Sequence, residues 1–242
     1  MFLAEAMIQR SPHVRAAHQL PSGRHGLPRD FVISNQRERI LGGVMAAVSA
    51  NGYGATRVED IIALAGVSRR TFYDHFSNKE QAFLAAYDFV VEQLRIGVAG
   101  AYATGGTWAS KVRRGLAAFL NLMAGEPELA HVCIVEAVAA GPQALERRMG
   151  AMADFRMFLT PPQPDHPPVI VSGVTAETVV GGVYEVIYSR VVTSRTAELP
   201  GLLPALLYSV LLPFVGTEVA GAEYRHAVKA AAERATDSAA TP

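Results

Sequence analysis

Residues 56–80 read TRVEDIIALAGVSRRTFYDHFSNKE, and this stretch carries the start and stop signals of two short helices. The apolar residues of its first part recur at spacings of three and four, as on one face of a helix: Val58, Ile61, Ile62 and Ala65. Gly66 can end that helix, and the hydroxyl of Ser68 can cap a second helix from Arg69 to about His75. The stretch therefore predicts two short helices joined by a tight turn.

Longer helices are predicted on both sides of this pair. Before it, apolar residues keep a helical period over residues 35–50. At the start of the pair, Thr56 followed by Glu59 predicts a capping box, in which each residue's side chain binds the other's backbone N–H. After the pair, Ser77 followed by Glu80 predicts a second capping box, which opens a fourth helix.

Two short helices with a tight turn form a helix-turn-helix, whose second helix can enter the major groove of DNA. The side chains that can reach base edges share the start of that helix: Ser68, Arg69, Arg70 and Thr71. Arginine can bind guanine O6 and N7 with two hydrogen bonds. The side chains that can reach phosphates lie at the rim: Tyr73, His75 and Lys79, with Thr56 as a helix cap that also touches phosphate. We expect Phe72 and Phe76 to pack inward, and Glu59 to lie away from the two arginines.

The same run resembles the DNA-binding domain of TetR-family transcriptional regulators. The matching features are the alanine-glycine-valine-serine turn, the threonine-aromatic-tyrosine run, the histidine-phenylalanine pair and the lysine that opens helix four. The resemblance implies an N-terminal three-helix DNA-binding domain and a larger C-terminal helical domain that binds a ligand and dimerises. It also implies that an effector moves helix four and changes the spacing of two recognition helices. That spacing must fit major grooves roughly 34–36 Å apart.

The remainder of the chain is also helical in pattern, so the fold class is all-α. The patterns recur over residues 107–124, 127–140, 142–159, 174–197 and 201–216. The last two carry long apolar stripes, with more apolar surface than one subunit is expected to bury. A two-fold four-helix interface explains them better than an ordinary monomer core. The dimer interface candidates are Val183, Ile187, Val191, Leu203, Leu206, Leu207, Val210, Leu211 and Phe214.

An effector pocket is expected between the middle helices of this domain. The candidate lining residues are Trp108, Phe119, Met123, His131, Glu136, Phe155, Tyr184 and Tyr188. Ordinary core packing is the alternative for each aromatic residue among them. Glu136 stands in an otherwise apolar helix, where it could be a pocket carboxylate, a surface residue or an arginine's partner; Glu185 and Arg190 pose the same question. We expect a small, mainly apolar effector with one or two polar groups.

Composition excludes several classes of protein. Half of the 242 residues are hydrophobic and 18% are charged, which argues against a disordered chain. Lys+Arg and Asp+Glu both number 22, so a strongly basic surface is excluded, although a local basic patch is not. One cysteine, Cys133, allows neither an intrachain disulfide nor a cysteine zinc site. The sequence has no dinucleotide fingerprint, phosphate loop, nucleophile elbow or metal-spaced histidine pair, so we expect no enzyme activity, no cofactor and no metal.

Four segments are predicted along the chain. Residues 1–33 form a flexible, mildly basic arm, 34–80 the helix-turn-helix domain, 81–230 the effector-binding and dimerisation domain, and 231–242 a frayed tail. A proline-rich loop is expected over residues 160–172. The apolar stretch at 202–215 is shorter than the roughly 20 residues of a membrane-spanning helix. With no export signal at the start, we expect a cytoplasmic protein without membrane contact.

These features predict a ligand-responsive homodimeric transcriptional regulator, a repressor that leaves a palindromic operator when its effector binds. Its partners would be double-stranded operator DNA, the effector and a second copy of the chain. The alternative is a helical ligand-binding or scaffold protein without DNA binding. The retained Arg69 and Arg70 argue against that alternative, because a discarded site need not keep basic side chains.

Overall fold

The computed structural model describes residues 28–161 and 173–239. All regular structure in these ranges is helical, which confirms the all-α fold class. The helices are α1 (Arg29–Ala55), α2 (Val58–Ala65), α3 (Arg69–His75), α4 (Lys79–Ala103), α5 (Trp108–Gly125), α6 (Pro127–His131), α7 (Pro142–Phe155), α8 (Gly173–Val192) and α9 (Leu203–Ala239). A π-helical turn (Val132–Glu136) and a short helical turn (Ala137–Ala139) continue α6, and 3-10 turns at Arg156–Leu159 and Thr196–Leu202 follow α7 and precede α9.

The chain forms two compact units whose borders differ from those predicted. The N-terminal unit comprises the described part of residues 1–93 together with Glu128–Arg148. The C-terminal unit comprises Leu94–Pro127 and the described part of residues 149–242. The predicted boundary after residue 80 thus differs from the border between the units, which follows Gln93. Residues 81–93 and the segment 128–148 pack with the helix-turn-helix, a long-range pairing that no local sequence signal reveals.

The bounds of two helices also differ from the predicted chain ends. Residues 29–33, assigned to the arm, are the first residues of α1, and the rest of the arm lies outside the described residues except for Pro28. Residues 231–239, assigned to a frayed tail, continue α9 as far as Ala239. The predicted loop at 160–172 lies outside the described residues apart from its first two.

The core of the N-terminal unit lies where α1, α2, α3 and the first half of α4 bury their apolar faces. Its fully buried side chains include Ile40, Val44, Ile61, Phe72 and Phe83. Phe72 and Phe76 both point inward, as predicted. Because these side chains come from different helices, they hold α2 and α3 in one orientation.

The core of the C-terminal unit is formed by the helices predicted to make the dimer interface, and it takes in most of that predicted set of residues. Almost all of its members are buried inside a single chain: Ile187, Val191, Leu203, Leu206, Leu207, Val210, Leu211 and Phe214; Val183 is half-buried. The reason is that α8 and α9 pack against each other, and α5 packs against α9. Arg113 Nε donates to Glu223 Oε2 at 2.7 Å and joins α5 to α9. One subunit therefore buries both stripes.

One helical stretch, Thr196–Glu233, is long and apolar enough to cross a membrane by length and composition alone. It is longer than the stretch at 202–215 suggested, because the helix continues through Pro213 and a kink at Gly216. A single helix of this kind is weak evidence for a membrane span, since the core helices of soluble proteins pass the same test.

Candidate nucleic-acid interface

The frame of the helix-turn-helix depends on a close approach between α1 and α2. A Cβ atom added to Gly43 would lie 2.8 Å from the carbonyl oxygen of Ile61 and 2.9 Å from the backbone nitrogen of Ala65. Arg39 of α1 reaches the end of α2, where its Nε donates to the carbonyl oxygen of Ala65 at 3.0 Å and its Nη2 to that of Gly66. These bonds satisfy carbonyl groups that the end of a helix leaves without partners. The turn before α3 is thereby held in place.

The start of α3 is capped as the sequence predicts. The backbone N–H of Thr71 donates to Ser68 Oγ at 3.0 Å, and the two hydroxyl groups lie 2.8 Å apart. Gly66 adopts a left-handed conformation (φ 61°) that allows the tight turn between α2 and α3. The first residues of α3 are therefore presented on a short, well-defined helix.

The two arginines at this point have different surroundings. Arg69 Nη1 donates to Glu59 Oε1, and the Arg69 guanidinium lies 5.6 Å from the centre of the exposed Tyr73 ring. The expectation that Glu59 lies away from the arginines is therefore wrong. Arg70 is exposed and forms no ion pair or hydrogen bond within the part of the chain that the structure describes. Of the two, Arg70 is the freer cation.

Both predicted capping boxes are displaced by one residue. At α2, the backbone N–H of Arg57 donates to Asp60 Oδ2 at 2.8 Å, so Asp60 takes the place expected for Glu59. At α4, the N–H of Gln81 donates to Asn78 Oδ1 at 2.8 Å, and the N–H of Ser77 donates to Gln81 Oε1 at 3.1 Å. At α2 the acid Asp60 binds the N-cap N–H in place of Glu59, and at α4 the amide of Asn78 caps the helix in place of the Ser77 hydroxyl. The displacement leaves the Glu59 carboxylate available to Arg69.

Thr56, predicted to cap α2 and touch phosphate, has its hydroxyl engaged inside the domain. Thr56 is 2% exposed. Its hydroxyl donates toward the carbonyl oxygens of Gly52 at 2.7 Å and Ala47 at 3.2 Å. Thr56 closes the end of α1 rather than capping α2. The spacing of hydroxyl and acid in the sequence could not distinguish these two roles.

Lys79 is also engaged within the domain. Its Nζ donates to the carbonyl oxygens of Tyr53 at 2.7 Å and Thr56 at 2.8 Å, and it lies 4.3 Å from the centre of the Tyr53 ring. An ammonium group has three hydrogens, so one remains for a further acceptor such as a phosphate oxygen. Lys79 thus ties the start of α4 to the end of α1.

His75 is half-buried at the end of α3. Its Nε2 lies 3.3 Å from Gln36 Oε1. Burial, together with the nearby charge of Arg37, lowers the pKa of His75 below its ordinary value. This shift favours the neutral ring, which offers a hydrogen bond rather than a positive charge.

Two predicted pocket residues, His131 and Glu136, belong instead to the N-terminal unit. The backbone N–H of Tyr53 donates to Glu136 Oε2 at 2.7 Å, and His131 Nε2 lies 3.3 Å from Glu136 Oε1. This N–H is available because Gly52 (φ 74°, ψ 157°) interrupts α1 just before it. The π-helical turn Val132–Glu136 carries the carboxylate to this point. Glu136 thus stabilises the kink in α1, a role that only the fold reveals.

The other pocket candidates lie in the C-terminal unit. Phe119 and Phe155 belong to an aromatic row that the sequence only half predicted, Phe119–Phe155–Phe158–Tyr102, with successive ring centres 5.4, 6.0 and 5.2 Å apart. All four rings are half-buried. Trp108 packs edge-on against Phe214 at 5.5 Å, Tyr184 stacks on Tyr188 at 6.3 Å, and Met123 is fully buried. Phe119 of α5 and Phe155 of α7 contact each other across two helices.

The geometry of α1 to α4 defines a helix-turn-helix DNA-binding domain, followed by a helical second part. Residues 40–86 match the model of the family described as bacterial regulatory proteins, tetR family. The chain therefore carries a tetR-family domain, and the resemblance noted in its sequence is confirmed. No curated protein matches the chain in sequence.

Solved structures show the same fold over most of the chain. The transcriptional regulator FadR from Bacillus subtilis, in complex with stearoyl-CoA, matches with a TM-score of 0.62 at 18% identity, over 74% of this chain and 98% of that chain. The fatty acid degradation regulator FadR from Bacillus halodurans matches with a TM-score of 0.63 at 16% identity, over 75% of this chain and 99% of that chain. A TetR-family regulator from Marinobacter aquaeolei VT8 matches with a TM-score of 0.59 at 19% identity, over 76% of this chain and 96% of that chain. The chain has the fold of TetR-family transcriptional regulators.

Proposed function

We propose that the chain is a homodimeric, ligand-responsive transcriptional regulator, a repressor released from a palindromic operator by a small, mainly apolar effector. The observation that carries the proposal is the exposed start of α3 within a tetR-family domain, where Arg70 has no acidic partner among the described residues. Repression requires only tight binding at a site that polymerase must use. Activation would need a further contact with polymerase, for which no feature of the chain argues.

The DNA contacts divide into base readers and phosphate binders. Ser68, Arg69, Arg70 and Thr71 would face base edges, because the N-terminal end of a recognition helix enters the major groove. Tyr73, His75 and the third hydrogen of Lys79 would reach phosphates, which position the protein without reading sequence. Thr56 is not in this set because its hydroxyl is engaged inside the domain.

A dimer would use apolar surface that a single chain leaves uncovered. On α8 and α9 the exposed apolar side chains are Val174, Val192, Val219, Tyr224 and Val228. A two-fold dimer pairs the same surface of both subunits, and it matches a palindromic operator because both have the same symmetry. These side chains replace the buried residues that the sequence suggested for the interface.

The effector would bind in the C-terminal unit, beside the aromatic row. Aromatic side chains that are only half-buried offer apolar contact area to a ligand. The structurally similar FadR from Bacillus subtilis is in complex with stearoyl-CoA, a ligand with a long apolar chain and a charged carrier. We take an amphiphile of this kind as the first effector to test. A ligand that prefers one of two conformations would shift the population away from the DNA-binding one.

Catalysis forms no part of the proposal, and we propose a cytoplasmic location. Cys133 is the single thiol of the chain, and burial raises its pKa to about 12. Because the thiolate is the reactive form, this cysteine is a poor nucleophile at neutral pH.

The test is a selection from a pool of random DNA duplexes, made with purified wild-type protein and with an Arg69→Ala/Arg70→Ala variant. Wild type should enrich a two-fold symmetric site, and the variant should not. A folded wild-type dimer that enriches no sequence at low salt, after any co-purified ligand is removed, would contradict DNA regulation. That result would favour the helical ligand-binding or scaffold alternative.

The effector part of the proposal needs its own experiment. Stearoyl-CoA added to the protein–DNA complex should release the duplex, and coenzyme A alone should not. Phe155→Ala, in the aromatic row, should raise the stearoyl-CoA concentration needed for release. Met157→Ala should not, because Met157 is exposed beside the row. Equal release by coenzyme A would contradict an apolar effector site.

A further inference from the structure

We propose that Glu59 determines DNA sequence specificity by positioning Arg69, so that its carboxylate fixes the Arg69 guanidinium toward one base of the operator. This inference rests on the proposed DNA-binding function and deepens it. Glu59 lies in the first turn of α2 and Arg69 at the start of α3, on opposite sides of the helix-turn-helix turn. Sequence readout at Arg69 would then depend on a residue outside the recognition helix.

The Arg69 guanidinium is held from two directions. Its Nη1 donates to Glu59 Oε1, and its face lies over the Tyr73 ring at 5.6 Å. The Tyr73 ring in turn meets the fully buried Phe72 ring edge-on, with ring centres 5.3 Å apart. The guanidinium is therefore linked through Tyr73 to the core and through Glu59 to α2.

Of the two adjacent acids in the first turn of α2, Glu59 is the one whose carboxylate binds Arg69. Its neighbour Asp60 accepts the backbone N–H of Arg57 and so caps α2. A hydrogen bond from its own backbone N–H, with a further contribution from Arg69, lowers the pKa of Glu59 below its ordinary value. Its carboxylate is therefore charged at neutral pH. Arg70 has no comparable partner within residues 28–161 and 173–239, so the two arginines differ in constraint despite being adjacent.

The effect of this pair should appear in recognition rather than in folding. Both side chains are more than half exposed, and exposed ion pairs contribute little to stability. A guanidinium carries five N–H groups, so an edge bound to a carboxylate leaves others for guanine O6 and N7. A side chain that is already oriented loses less conformational freedom on binding than a mobile one. Glu59 thus favours the base that Arg69 can reach in this orientation.

The experiment measures binding of wild type, Glu59→Gln, Arg69→Ala and the double variant to duplexes in which each half-site position is replaced in turn. Glu38→Gln is the matched control, because Glu38 is an exposed acid of α1 and its loss changes the net charge equally. Arg69→Ala identifies the base position that Arg69 reads. Glu59→Gln should lower the preference at that same position by about 2- to 10-fold. The double variant should lose no more preference than Arg69→Ala alone, because the two residues act as a unit.

Three results would overturn the inference. If Glu59→Gln changes binding to all duplexes equally, as Glu38→Gln does, Glu59 acts only through its charge. If it changes preference at a different position, Glu59 contacts a base itself. If wild type shows no sequence preference at all, the proposed function fails and this inference fails with it, a result distinct from the other two. Thermal melts of each variant should match wild type, since the substituted side chains are exposed.

Discussion

The α1–α2 contact and helix α8 use glycine for opposite reasons. At Gly43, a methyl group would lie within 3 Å of the α2 backbone, so the two helices can approach each other only because the side chain is absent. In α8, a Cβ atom added to either of the adjacent residues Gly181 and Gly182 would meet no other side chain or element within 4 Å in the described structure. Gly43 sets the distance between α1 and α2, whereas the two glycines of α8 lower the stability of that helix. The contrast indicates that the recognition part depends on a close helix contact that alanine would disturb, whereas α8 has room for alanine at both positions.

The largest expected effect comes from the core of the C-terminal unit. Leu207→Ala should lower the free energy of unfolding by about 2–5 kcal/mol, because Leu207 is fully buried within one chain. Denaturant titrations at two protein concentrations should give the same difference from wild type. Met149→Ala, at an exposed position of α7, is the control and should change stability by less than about 0.5 kcal/mol. A loss that grows on dilution would place Leu207 in the dimer interface after all.

The glycine comparison itself gives two effects of opposite sign. Gly43→Ala should destabilise the protein by about 1–3 kcal/mol, because the added methyl group forces α1 and α2 apart. Gly182→Ala should stabilise it by about 0.5–1 kcal/mol, since alanine favours an open helical position. Chemical denaturation measures both. If both substitutions stabilise the protein, α1 and α2 do not approach each other as closely as described.

A similarly small effect concerns the segment 128–148, which packs with the helix-turn-helix. Burial raises the pKa of Cys133 to about 12 from an ordinary value of 9.0. Between these values the unfolded chain releases the thiol proton and the folded chain keeps it, so the free energy of unfolding falls as pH rises, by up to about 1.4 kcal/mol per pH unit. Below pH 9 the thiol adds no pH dependence.

Urea titrations at about pH 8 and about pH 10 check this expectation against a Cys133→Ala variant. Wild type should lose about 1 kcal/mol more than the variant between the two pH values. Equal losses would mean that solvent reaches Cys133, and that the segment 128–148 does not pack as described.

Local sequence signals predicted the helix-turn-helix because its features lie within a few residues of each other. The Ser68 cap, the Gly66 turn and the inward Phe72 all follow from neighbouring residues and helical spacing. The capping residues were predicted less exactly. Asp60 and Gln81 stand next to Glu59 and Glu80, and sequence spacing does not show which of two neighbouring side chains binds the backbone N–H. The hydrogen-bond partner of the Thr56 hydroxyl depends on where the preceding helix α1 ends, which local spacing does not show.

Long-range partners could not be predicted in the same way. Glu136 lies more than eighty positions along the chain from Tyr53, whose N–H it accepts. The apolar stripes on α8 and α9 show that a face is buried, but periodicity does not show whether the same chain or a second copy covers it. Leu207 therefore looked like an interface residue in the sequence and is a core residue in the fold.

The most direct test of the central claim, that α3 reads DNA, compares Arg70→Ala with Arg225→Ala. Both arginines are exposed, but Arg225 lies on α9. Binding is measured on the selected duplex and on a scrambled one over a range of salt concentrations. Arg70→Ala should weaken binding to the selected duplex by about 1–3 kcal/mol and relax base preference, while Arg225→Ala should change neither. An equal loss on both duplexes would make Arg70 a phosphate contact, and no loss on either would contradict recognition through α3.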